Sequence, residues 1–210
     1  MIALIIFLLI VALVVNQLKK NVPNTATQKL FTIIRNAAFI GIFIAAIFSS
    51  IAQVGAGEAG VHVLFGSVQD GVLKSGLNFV NPLIDVEKMD VKTQAYTMSS
   101  IRDEGQQSGD DAISSLSMDG LTLKLDVTVW FRLSENDAPQ VYRTIGMDYV
   151  EKIVRPAVRT AIRDVSVGYS ATDIYSIKRE DFVRDITKNL ENAFNGRGII
   201  LERVLLRNVE

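Results

Sequence analysis

The stretch NAAFIGIFIAAIFSSIAQVGAG, residues 36–57, divides the chain into two unlike parts. No charged residue lies between Arg35 and Glu58. Residues 37–54 are almost all Ala, Ile and Phe, and the polar interruptions Ser49, Ser50 and Gln53 gather at one end. A buried helix of a soluble domain usually keeps a polar stripe, whereas a helix crossing a hydrocarbon core of roughly 30 Å needs about 20 apolar residues. The run therefore reads as a transmembrane helix over residues 37–54. Phe39, Ile40, Phe43, Ile44, Ile47 and Phe48 are its lipid-facing candidates.

Upstream stands a second apolar run, MIALIIFLLIVALVV, residues 1–15. At 1.5 Å per residue it covers only about 22 Å. Extending it to residue 18 brings it near a full span at the cost of Asn16 and Gln17. It carries neither the basic start nor the small-residue cleavage site of a signal peptide. The segment, residues 1–18, reads as spanning or as partly inserted, with Ile5, Ile6, Phe7, Leu8 and Leu9 as anchor residues. Residues 19–36 read as a polar linker. Its charges, Lys19, Lys20, Lys29 and Arg35, are all positive. Short Lys/Arg-rich loops stay on the cytoplasmic side, which places everything after Val54 on the other face, unless the two runs form a re-entrant hairpin.

The whole-chain charge of −1 hides an asymmetry. The first 57 residues hold four basic residues and no acid, so the remainder carries 18 basic against 23 acidic residues, a net −5. That balance lacks the basic footprint of a nucleic-acid-binding domain. About 150 residues suffice for one domain with its own core. With no cysteine and the single His62, disulfides, thiolate nucleophiles and His-pair metal sites are excluded, and a catalytic triad is disfavoured.

The glycines at 55, 57 and 60 match G-x-G-x-x-G. The dinucleotide fingerprint needs a preceding strand and a following helix. Here the order is reversed, and the segment reads as a hinge at the membrane surface. EAGVHVLF, residues 58–65, alternates with Ala59, Val61, Val63 and Phe65 on one face, a strand period that places His62 on the other as a structural or solvated residue. Residues 76–98 hold one or two strands broken near Asn81-Pro82, because proline cannot donate to a ladder. SSIRDEGQQSGDDA, residues 99–112, reads as a solvated hairpin tip; its acids lack the calcium-loop spacing. LTLKLDVTVWF, residues 121–131, is apolar at all six alternate positions, which predicts a half-buried strand of an antiparallel sheet. Asp119-Gly120 fits the hairpin turn before it.

Beyond Leu133 the period becomes helical. A short helix is expected over 136–145 and a longer one over 148–167, kinked or restarted at Pro156. On it Glu151, Arg155, Arg159 and Arg163 recur every four residues. They form either a ridge for lateral contact with an acidic partner or lipid headgroups, or an ordinary solvated face with Glu151 and Arg155 as an i,i+4 pair. Ser176 is placed to cap a third helix carrying the stripe Phe182, Ile186, Leu190 and Phe194. Asn195, Gly196 and Gly198 stop it, and residues 199–209 return as a strand. The fold class is α+β: transmembrane helices, then a mostly antiparallel sheet with packed helices and a final strand.

In order, several short pieces resemble the SPFH (band 7) superfamily of stomatins, prohibitins, flotillins and HflK/HflC-type proteins. They are the entry with Glu58, Gly60 and Val61; Phe65-Gly66; Gly76-Leu77-Asn78-Phe79 running to Pro82; Asp90; Asp119-Gly120 leading to Asp126; and Phe131-Arg132. GMDYVEKIVRPAVRTAIRDV (146–165), YSIKRED (175–181) and GIILERVLLRNVE (198–210) look most like the prohibitin branch. The resemblance covers the domain at residues 55–210. It implies a membrane-anchored scaffold, not an enzyme, that assembles with itself or a paralogue into a ring or cage. Such an assembly would organise a membrane microdomain and regulate an FtsH-type AAA protease in a bacterial or organellar inner membrane. It also implies a coiled coil after the last strand, which this sequence does not contain. The other readings are a membrane-bound hydrolase, for which only a Ser–Lys pair is available, and a protease regulator that forms no ring. No catalytic, cofactor-binding or metal-ligating residue is assigned.

Overall fold

The computed structural model describes residues 2–20, 25–101, 104–106 and 110–210. Two apolar helices come first, α1 (Ile2–Lys20) and α2 (Thr25–Ser49), packed against each other as a hairpin. Their contact is made by small and branched residues, Ala12 and Val15 on α1 and Ala38 and Ala45 on α2, all buried. Small side chains let two apolar helices approach closely. Thr27–Ser49 is long and apolar enough to cross a membrane.

This corrects the expected boundaries at both ends. The supposed linker is helical from Thr25 onward, because Thr25–Asn36 extends the apolar helix without a break. At the other end the helix stops at Ser49, and Ile51–Val54 forms strand β1. Apolar composition alone cannot separate a helix end from a buried strand; a ladder partner decides. That partner is β4 (Gly76–Phe79), with Ile51 opposite Phe79 and Val54 opposite Gly76.

The expected hinge is instead an ordered turn. The Gly55 amide donates to the Glu58 carboxylate at 2.9 Å, and Val91 donates its amide to the Gly57 carbonyl at 2.9 Å. Gly57 sits at φ +75°, a conformation that glycine adopts without penalty. Gly60 is pressed against its neighbours: a Cβ there would lie 2.9 Å from both Val54 Cγ2 and Leu73 Cβ.

Strands β2 (Glu58–Leu64), β3 (Ser67–Leu73) and β5 (Ile84–Asp90) make one antiparallel sheet with β2 central. The two-residue loop between β2 and β3 is Phe65-Gly66, both at positive φ, as a type I′ hairpin turn requires. Phe65 therefore leaves the apolar face predicted for it and is 80% exposed. His62 is half-buried opposite Val86.

The second sheet is built on β8 (Thr122–Leu133). On one edge β6 (Gln94–Met98) and β7 (Ile113–Leu116) pair with it, and on the other β9 (Ile199–Val209). Leu123, Leu125, Val127, Val129, Phe131 and Leu133 are buried. The predicted apolar face is buried from 123 onward, Asp126 and Thr128 on the opposite face are buried as well, and Leu121 precedes the strand and is exposed.

Against the inner face pack α4 (Arg155–Ser166) and α5 (Arg179–Phe194), while α3 (Ala138–Thr144) lies on β2 and β3. Pro156 has no N–H for the residue-152 carbonyl. The chain answers with a π-helical turn, Val150–Val154, before α4 restarts at Arg155. The α5 stripe is buried at all four predicted positions. Ser176 does not cap α5. It lies inside a second π-helical turn, Asp173–Ile177, and donates to the Thr172 carbonyl. One continuous apolar core, from Ala59 through Val209, joins both sheets and the helices.

Candidate membrane-facing site and the loop lock

Only Ser50 separates α2 from β1. Its carbonyl accepts the Val80 amide at 2.8 Å, and Ser49 Oγ donates to the Pro82 carbonyl. The β1–β4 ribbon and the following Asn81–Leu83 turn are therefore fastened to the end of the apolar helix. Exposed apolar side chains collect at this junction: Phe48 on the helix, Ile51 and Phe79 facing each other across the ribbon, and Leu83 in the turn. Phe79 is 82% exposed. Exposed apolar side chains gathered at one junction mark a membrane or partner surface.

Most predicted anchor residues are exposed on the hairpin: Ile6, Phe7 and Leu9 on α1, and Phe39, Ile40, Phe43, Ile44, Ile47 and Phe48 on α2. Lys29 is exposed and Arg35 half-buried. The side chains of Ile5, Leu8, Lys19 and Lys20 lie outside the described residues.

The basic ridge on α4 has a different surrounding from either expectation. β6 and β7 lie end to end along β8, with Met98 opposite Val127 and Ile113 opposite Leu125. The segment 99–112 is thus an excursion from one interrupted strand, leaving at Asp126. Asp126, 4% exposed, accepts from the Ser100 amide at 2.9 Å and from Ser99 Oγ at 3.2 Å. The excursion closes where the Asp111 amide donates to the Ser99 carbonyl at 2.9 Å.

The Asp111 carboxylate then turns inward. Its Oδ1 accepts from Arg155 Nη2 at 2.6 Å and from Arg159 Nη2. Asp111 is 5% exposed, so this acid is not part of a solvated tip. Its hydrogen bond raises the Arg155 pKa, against the opposing effect of burial. Arg155 and Arg159 are committed inside the molecule, while Arg163 is exposed and donates to the Ser114 carbonyl. Glu151 accepts from the Tyr96 hydroxyl at 3.4 Å. Breaking a buried ion pair from one side leaves an uncompensated charge, so Asp111 fastens the base of the excursion to α4. Gln106 lays its side-chain amide along β6, accepting from the Thr97 amide and donating to the Ala95 carbonyl. Unpaired strand edges invite association, and this one is covered.

Sequence reasoning missed Asp111 because its partners lie 44 and 48 residues away. The available signal was an acid pair ending a loop and two arginines spaced i,i+4. Among the described residues no group of three or more His, Asp or Glu stands together as a metal site.

The family model described as SPFH domain / Band 7 family matches residues 52–210, and the chain belongs to that family. Among its relatives, the chain is 26% identical over 194 residues to Prohibitin-7, mitochondrial, of Arabidopsis thaliana, covering 91% of this chain and 65% of that protein. It is 27% identical over 169 residues to Prohibitin-4, mitochondrial, of the same plant, covering 78% and 56%. To Prohibitin-2 of Dictyostelium discoideum it is 23% identical over 170 residues, covering 80% and 53%. The chain spans between about half and two thirds of the length of these relatives.

Proposed function

We propose that the chain is a membrane-anchored scaffold whose SPFH domain rests on the bilayer and assembles side by side with copies of itself or a paralogue. The observation that carries this is the junction at Ser50. The spanning helix runs directly into the β1–β4 ribbon, and Phe48, Ile51, Phe79 and Leu83 surround the point of exit. Such a junction holds the domain against the surface, where neighbours meet in two dimensions.

In this proposal α2 spans and the basic residues Lys19, Lys20, Lys29 and Arg35 stay on the cytoplasmic side. The domain then works on the opposite face of a bacterial or organellar inner membrane. The assembly is a ring or cage that organises lipid and regulates an FtsH-type AAA protease. The family match and the prohibitin relatives support the membrane-scaffold part of this reading.

The test is the particle extracted intact in mild detergent and measured by light scattering and imaging. The expected result is a large ring-like assembly; a monomeric particle overturns the scaffold. Sidedness is read separately. The natural chain has no cysteine, so one introduced at exposed Thr122 reports on the domain through an impermeant maleimide. Labelling from the cytoplasmic side overturns the assigned orientation.

A further inference from the structure

Arg35 is a guanidinium set within the apolar hairpin, and its partners do not neutralise it. Nη1 donates to Asn16 Oδ1 of α1 at 3.4 Å, and Nη2 to Asn36 Oδ1 at 3.3 Å. Both acceptors are uncharged and distant. Its Nε is buried and has no hydrogen-bond partner among the described residues. No carboxylate exists before Glu58, so neither this hairpin nor that of a second copy supplies a counter-charge. An unpaired charge within a membrane segment is costly, and such a residue marks a functional site by default.

Its depth identifies the missing anion. Fourteen residues separate Arg35 from Ser49, the last residue of α2, which is about 21 Å of helix. In a hydrocarbon layer of roughly 30 Å, the Arg35 backbone lies about 9 Å inside the loop-side boundary. A guanidinium on its long apolar stem reaches outward from there to headgroup level. The anion that a bilayer brings to that level is a lipid phosphate, whose oxygens match the guanidinium fork bidentately. Exposed Lys29, about one and a half turns nearer the loop, adds a second positive charge. Basic sites between helices at this level favour anionic headgroups.

We propose that Arg35, with Asn16 and Asn36, binds the phosphate of an anionic phospholipid in the loop-side leaflet. This rests on the reading of α2 as a membrane span. The amide side chains orient the guanidinium across the hairpin, and its two Nη groups donate to the phosphate oxygens. Lys29 gives preference to a headgroup that carries no cation of its own.

The test uses the full chain reconstituted in bilayers of phosphatidylcholine and phosphatidylglycerol, extracted in mild detergent, with retained lipid counted by native mass spectrometry. The wild-type chain should retain phosphatidylglycerol enriched about fivefold over the bilayer ratio, the preference of one basic residue at the surface. Arg35→Gln should bring retention back to the bilayer ratio, while Lys188→Gln on the domain should leave it enriched. Absence of enrichment in the wild type, or equal enrichment in Arg35→Gln, overturns the site. If Arg35→Gln fails to insert, Asn16→Ala with the charge intact should lower the enrichment, and its failure to do so overturns the site equally. Release of the retained lipid by millimolar inorganic phosphate assigns the site to free phosphate and overturns the lipid. Flotation with vesicles separates the two readings. A chain that does not float removes the membrane span itself, whereas one that floats without headgroup preference removes only this site.

Discussion

The hairpin and the domain core use the same side chains in opposite ways. Phe39, Phe43 and Phe48 of α2 are more than half exposed, whereas Phe131, Phe182 and Phe194 are 2% exposed or less. Nothing in the phenylalanines distinguishes them. What differs is the spacing of their polar neighbours. In β8 every second residue, and in α5 three of every four along the stripe, is polar or lies off the apolar face, so the chain must fold to cover one side. In α2 from Ala37 to Phe48 there is no second side to turn to water, and the environment must be apolar all round. The same apolar content thus specifies a core where it is periodic and an anchor where it is not.

That contrast breaks most sharply under truncation. Phe182→Ala should cost about 3–5 kcal/mol of domain stability through the cavity it leaves, whereas Phe43→Ala should change it by less than about 0.5 kcal/mol. Both are read from urea unfolding in detergent micelles; a comparable loss at Phe43 would mean that its side chain is packed against protein. The next largest effect concerns charge. Asp111→Ala should cost about 2–3 kcal/mol, because it strands two partly buried guanidiniums. Adding Arg155→Ala and Arg159→Ala should recover part of that loss, and no recovery would show that Asp111 acts through the loop backbone alone.

Close packing gives a smaller effect. Gly60→Ala should cost about 1–3 kcal/mol by overpacking against Val54 and Leu73, in the same unfolding assay. A neutral result would show that the junction between ribbon and sheet yields easily. The smallest effect is a titration. The Tyr169 hydroxyl donates to Asp185 at 2.6 Å, and mainly for that reason its pKa is pushed up to about 12. Because the folded value lies above the unfolded one of about 10, its contribution is complete below pH 10 and lost as pH rises toward 12. Tyr169→Phe should flatten the fall of melting temperature across that window; an unchanged slope would remove Tyr169 as its cause.

What could be read from the chain follows from the range of the forces involved. The β8 alternation, the α5 stripe and the restart at Pro156 are local patterns, so their residues identify them without knowledge of the rest. Residues 51–54 could not be read that way. IAQV continues the apolar composition of the helix before it, and only pairing with Gly76–Phe79 makes it a strand. Phe65 was assigned to an apolar face by alternation, but the turn with Gly66 overrides that period. Asp111 belongs by composition to a polar loop; only the tertiary fold brings α4 to it. At the candidate membrane-facing site the helix was legible, whereas Phe79 and Leu83 were not, because their place beside Phe48 depends on the ribbon.

The single residue between α2 and β1 has a mechanical consequence. A flexible tether would let an anchor lean while its cargo stayed level. Here the helix end is bonded through Ser49 and Ser50 to the segment that follows the far strand of the ribbon, leaving little slack to absorb a lean. Spanning helices tilt to match the thickness of their bilayer. With a stiff joint, that tilt passes into the attitude of the domain above it. In a lateral array each protomer would then lean by an amount set by the local lipid, and the curvature of the whole would report bilayer thickness.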